Sequence, residues 1–254
     1  MPKPRSTVSR SQNTRAAETP AHASDHDGFS LDALIQSALG HALLCGTKSE
    51  PAPLTAAYEP GGNLPLLLIT GSNASGKSLL SKLLSHRANK DWGLDLMRVG
   101  MDIRTTSSGL RRAFVFGGLD EDESAGALSV HACLKVFSCC QSKEDRHLVV
   151  LDEPDVGLSE EYAAALGQRI ARFATAMPAT TQALIVVTHS RYLARELRDL
   201  SPAHIRTGDE LALSAWLDTP PVASSLDDLE TLNKRARSRY NAVERTLRAS
   251  RSAR

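Results

Sequence analysis

Aromatic side chains make up only 4% of the 254 residues, too few for the broad stacking surface on which single-stranded nucleic acid is held. Net charge is equally scarce. Thirty Lys and Arg against 29 Asp and Glu leave a formal +1, so no global field calls for nucleic acid or anionic lipid. The four cysteines, Cys45, Cys133, Cys139 and Cys140, form no C-x-x-C pair and no Cys/His metal spacing. Adjacent Cys139 and Cys140 would make a strained disulfide, so reduced thiols in an intracellular chain are expected. No apolar run approaches the ~18 residues of a membrane span. The opening stretch MPKPRSTVSRSQNTRAAETP lacks the hydrophobic segment of a secretory signal. Together these absences predict a cytoplasmic protein with no membrane insertion.

What is present is ordinary for a globular chain: 41% apolar and 23% charged residues, and enough length to bury a core. Residues 1–27 hold few large apolar side chains and are expected to be a disordered arm. From Phe29 the apolar residues Phe29, Leu31, Leu34, Ile35, Leu39 and Leu43 recur at helical spacing, with Ser30 as N-cap. Pro51, Pro53, Pro60, Gly61 and Gly62 then bracket the short segment LTAAYE. Beyond it, strands and helices alternate. LPLLLIT (64–70), RAFVFG (112–117), HLVVLDE (147–153) and QALIVVTHS (182–190) read as strands. Helical patterns follow at 78–88, 127–140, 159–177 and 191–200. Unalternating apolar strands separated by helices predict an α/β fold, with a mostly parallel sheet covered by helices on both faces. One or two edge strands are expected within 203–217.

The eight residues GSNASGKS, 71–78, fit G-x-x-x-x-G-K-[ST] and lie between a strand and a helix, as a phosphate-binding loop requires. Gly71 and Gly76 let the chain wrap through Ser72, Asn73, Ala74 and Ser75 with its N–H groups turned inward, an anion nest at a helix N-terminus. Lys77 would reach the β- and γ-phosphates, and the Ser78 hydroxyl would ligate Mg²⁺. The run HLVVLDEP delivers Asp152 to the edge of the sheet, where it can join the metal shell. Glu153, the next residue, is suited to accept a proton from an attacking water. His189 ends a further apolar strand, where it could bond the γ-phosphate or the lytic water.

In this order the three strand-end motifs resemble the ATP-binding-cassette ATPase superfamily over roughly residues 60–200. The resemblance implies a P-loop ATPase head that uses ATP and Mg²⁺. GSNASGKS would be its Walker A loop, LVVLDEP its Walker B strand with catalytic Glu153, and THS its switch-histidine loop. DVGLS (155–159) falls at the D-loop. DESAGAL, with Ser124 and Gly126, takes the place of the signature that contacts a partner head's nucleotide. No Gln lies between Walker A and that signature, and too few residues separate Lys77 from Asp152 for a transporter's helical subdomain. Both features look more like the compact branch of MutS-like and SMC-like heads, as does MRVGMDIRTTSSG (97–109).

The resulting division is an arm at 1–27, an ATPase domain at 28–219, and a basic helical tail at 220–254. Residues 225–254 carry eight Lys and Arg against four Asp and Glu. That tail reads either as a solvated helix or as one that meets a partner or a phosphate. The functional expectation is Mg²⁺-dependent ATP hydrolysis that gates homodimer formation, acting on or beside nucleic acid. The alternatives are an ATP-regulated binding module for a partner protein and, less well supported, the energy-supplying subunit of a transporter or a small-molecule kinase.

Overall fold

Why the apolar runs become strands is visible in the computed structural model, which describes residues 28–100 and 124–252. Six strands form one sheet: β1 (Ala56–Glu59), β2 (Leu66–Gly71), β3 (Asp95–Val99), β4 (His147–Asp152), β5 (Thr181–Val187) and β6 (Ala203–Thr207). Their spatial order is β1-β6-β2-β5-β4-β3. Only β1 runs antiparallel, against β6; the other neighbouring pairs are parallel.

Every residue of β2 and β4 is buried, because side chains on both faces of the sheet meet helices. The described helices are α1 (Leu31–Leu39), α2 (Ala42–Cys45), α3 (Lys77–Trp92), α4 (Ala125–Ser142), α5 (Glu160–Thr175), α6 (Arg191–Arg198), α7 (Leu213–Asp218) and α8 (Leu226–Ser252). On one face Leu66, Leu68, Val149, Leu151, Leu184 and Val186 join the apolar sides of α4, α5, α6 and α7. On the other, Leu67, Ile69, Leu148, Val150, Ile185 and Val187 join α1 and α3. A fully buried side chain of this kind contributes about 1.5–3 kcal/mol over an exposed one. A one-residue slip of any central strand would exchange the two cores, so register is fixed from both sides. The α/β fold with a mostly parallel, doubly covered sheet is therefore as expected.

Some elements differ from the sequence reading. β3 was not anticipated, because exposed Asp95 and Leu96 break the apolar run that marks the other strands. Within 203–217 the strand β6 is interior, lying between β1 and β2, and Leu213–Asp218 is helix. β6 looks like an edge strand because it carries His204, Arg206 and Thr207. These polar groups are buried but satisfied. Arg206 donates to Thr70 Oγ1 at 3.3 Å, Thr70 bonds His204 Nε2 at 2.8 Å, and His204 Nδ1 meets Glu59 Oε1 at 2.8 Å. Since a carboxylate only accepts, Nδ1 carries the proton and Nε2 accepts from the threonine hydroxyl. The strand expected at 112–117, the arm at 1–27 and most of 97–109 lie outside the described residues.

The last helix, α8, is half packed and half exposed. Leu226 and Leu229 are exposed, whereas Val243 is buried with Leu247 against Leu43, Leu54 and Leu79. Arg245 adds an ion pair to Glu50 at 3.3 Å. Among the described residues no helix is long and apolar enough to cross a membrane.

Candidate nucleotide site

The parallel arrangement brings the C-terminal ends of β2, β5 and β4 side by side, with β5 between the other two. Ligands of open α/β sheets bind at this edge. All three motifs read from the sequence meet there.

From β2 the chain turns through residues 72–76 into α3. Gly76 occupies the left-handed region at φ +104°, and a Cβ there would sit 2.4 Å from Leu54 Cδ2. Ala74 is also left-handed, at φ +57°. Ser75 N–H bonds Ser72 O at 3.2 Å and closes the turn. No side chain caps the start of α3, so its first N–H groups face the loop's interior. Lys77 is 4% exposed, and its ammonium donates to the carbonyls of Gly71 at 3.2 Å and Ser72 at 3.0 Å. Burial lowers its pKa to about 8, against the opposing pull of Glu153 and Asp152.

The Ser78 hydroxyl lies 3.3 Å from Asp152 Oδ1. The other carboxylate oxygen of Asp152 is ion-paired to Arg98 of β3. Sequence reasoning missed Arg98, since the strand that carries it lacked an apolar signature. Glu153 adopts φ +54°, and its N–H bonds Val187 O at 2.8 Å, holding the end of β4 to β5. Its Oε1 accepts from His189 Nε2 at 2.8 Å. Beside them Thr188 donates to Asp155 Oδ1 at 2.8 Å, joining the strand end to the 155–159 loop. Burial raises the Asp155 carboxyl above the ordinary value, against that hydrogen bond.

A cavity of about 460 Å³ opens over this edge and is lined by Asn73, Ala74, Lys77, Ser78, Glu153 and His189 on the sheet side. The middle of α8 also lines it, through Ala236, Arg239, Tyr240 and Val243. Ser124 and Gly126 lie elsewhere, in a separate cavity of about 730 Å³ against the 155–159 loop. Ser124 Oγ accepts from Ala127 N–H as the N-cap of α4. Gly126 permits close packing, since a Cβ there would fall 2.4 Å from Gly157 O.

No family model matches the chain, and no curated protein matches it. Among solved structures it is similar to Cdc6p from Pyrobaculum aerophilum, at 13% identity and a TM-score of 0.37, over 74% of this chain and 47% of that one. It is also similar to the Aeropyrum pernix Orc1 protein in complex with DNA, at 18% identity and a TM-score of 0.34, over 79% of this chain and 48% of that one. A third likeness is to a chain of the HORMA:CdnC:Trip13 complex of E. coli MS115-1, at 13% identity and a TM-score of 0.35, over 57% of this chain and 48% of that one. The chain spans about half the length of these structures, and at such TM-scores they decide nothing about its activity or partners.

Proposed function

We propose that this chain is a Mg²⁺-dependent ATPase of the P-loop class, built as a compact ABC-type head of the MutS-like or SMC-like kind. The observation that carries the reading is the meeting of Lys77, the Ser78–Asp152 pair and the Glu153–His189 pair around one cavity at the C-terminal edge of the sheet. The residues suit the ligands. The hydrogen bonds of the Lys77 ammonium go to carbonyls, and the start of α3 is uncapped, so a phosphate gains donors without displacing a carboxylate. A hydroxyl and a carboxylate oxygen 3.3 Å apart are hard ligands of the type Mg²⁺ takes when phosphates and water complete its shell.

In this reading the 72–76 loop and the first turn of α3 orient the triphosphate, and Lys77 exchanges its two carbonyls for phosphate oxygens. Ser78 and Asp152 hold the metal, which when bound neutralises charge on the β- and γ-phosphates. Glu153 takes the proton of a water as its oxygen bonds to the γ-phosphorus and the bond to the departing ADP oxygen breaks. His189 keeps the Glu153 carboxylate oriented by donating to it. ATP-gated homodimer formation is part of the same proposal: Ser124 and Gly126, which line a separate cavity, would meet the nucleotide of a second copy. The exposed first half of α8, with Arg235 and Arg237, is the surface assigned to nucleic-acid phosphate.

The test is Mg-ATP binding by calorimetry together with phosphate release, on the full chain and on Lys77→Ala. The native chain is expected to bind and turn over ATP. Loss of the charge-assisted bonds of Lys77 should weaken binding about 10–100-fold. A native chain that binds no ATP would overturn the reading.

A further inference from the structure

The cavity that the phosphate-binding loop lines is also lined by Ala236, Arg239, Tyr240 and Val243. Their spacing of i, i+3, i+4 and i+7 places them on one face of α8. The same helix is pinned beyond the site by Val243, Leu247 and the Arg245–Glu50 pair. Its middle is thus held over the loop by packing.

Arg239 differs from the other arginines of this helix. Arg235 pairs with Asp228, Arg245 with Glu50 and Arg248 with Glu244. Arg239 makes no hydrogen bond or ion pair among the described residues, and it is half-buried. Burial lowers its pKa with no carboxylate set against it. A desolvated cation without a partner is a cost to the fold, and an anion entering the cavity would offset it. Two further cations, Lys77 and Lys82, line the cavity, against one carboxylate, Glu153, which is bonded to His189. A planar guanidinium is suited to two oxygens of a phosphate.

We propose that Arg239 is a phosphate-contacting residue of this site, so that α8 completes the nucleoside triphosphate pocket within one chain. The inference rests on the P-loop reading above.

The test compares native chain, Lys77→Ala, Arg239→Ala and Arg239→Lys, each full length, for Mg-ATP affinity by calorimetry and for melting temperature with and without Mg-ATP. Arg239→Ala should weaken Mg-ATP about tenfold or more, Arg239→Lys should recover part of the loss, and the ligand-free melting temperature should stay level or rise. Unchanged affinity in Arg239→Ala, beside a native chain that binds and a Lys77→Ala that binds more weakly, would overturn the role of Arg239 and leave the P-loop reading standing. A lower ligand-free melting temperature matching the loss of affinity would make Arg239 a structural residue and overturn the proposal as well. A native chain that binds no Mg-ATP would remove both readings together.

Discussion

Replacing Glu153 by Gln removes a proton acceptor and one negative charge near Lys77 while keeping the shape of the side chain. The side chain keeps its length, and its carbonyl oxygen can still accept from His189 Nε2, now 2.8 Å from Oε1. The two side chains are 25% and 35% exposed, so the ionic part of their bond is worth about 0–1 kcal/mol. For a chain of this size that corresponds to no more than about 2–4 °C in melting temperature. The loop that holds the triphosphate is untouched, and nucleotide affinity should stay within about threefold. Turnover should nevertheless fall about 10²–10⁴-fold, the usual loss when a general base is removed. Phosphate release at saturating Mg-ATP measures the first quantity, and calorimetry the second. Turnover within tenfold of the native chain would refute Glu153 as the base. Low turnover accompanied by lost binding would refute it too, since the site itself would then have failed. The same variant, unable to leave its ATP state, should double in mass by light scattering only when Mg-ATP is present. An unchanged mass would refute self-dimerisation while leaving the catalytic role intact.

Arg98→Ala strips the guanidinium from Asp152, whose side chain is only 8% exposed, and removing one partner of such a pair should cost about 3–5 kcal/mol. On the proposed metal role of Asp152, Mg²⁺ and the guanidinium would compete for one carboxylate, so Mg²⁺ should raise the melting temperature more in Arg98→Ala than in the native chain; equal shifts would mean that Asp152 is not a metal ligand. A third outcome concerns acid. Burial pushes His204 below the ordinary histidine value, against the pull of Glu59. The unfolded chain therefore binds the proton first, and stability present above about pH 6.5 is lost as pH falls below it, by at most ~1.4 kcal/mol per unit. Melting temperatures from pH 7.5 to 5.5 should fall less steeply in His204→Gln, and parallel curves would assign the acid sensitivity to other groups.

How much of this was legible in the sequence depended on how local each contact is. The loop at 71–78, Asp152 with Glu153, and His189 each belong to one strand end, so an apolar run followed by a short polar motif located them. The contacts that shape the site across long stretches of chain left no such trace. Arg98 reaches Asp152 from a strand whose exposed Asp95 and Leu96 hide it, and Arg239 lines the cavity from a helix whose composition left a solvated face and a phosphate contact both open. β6 was misplaced to an edge for a related reason. Its His204 and Arg206 are tolerable in the interior only because Thr70 and Glu59, on two other strands, complete their hydrogen bonds.

The same physics ranks the motifs that were found. Ser124 and Gly126 have sufficient structural reasons to be what they are: a hydroxyl caps α4, and a missing Cβ lets that helix touch Gly157. Small polar residues before a helix are therefore poor witnesses to a signature, whatever letters surround them. Lys77 is the opposite case. Its ammonium is buried at 4% exposure against two carbonyls, and burial is the main cause that lowers its pKa to about 8, against the pull of Glu153 and Asp152. A methionine would fill that space without the desolvation cost, though it would leave the Gly71 and Ser72 carbonyls without this donor. A buried cation held by carbonyls rather than by a carboxylate is ready for an incoming anion and is the stronger mark of function, and half-buried Arg239 in the same cavity adds to it.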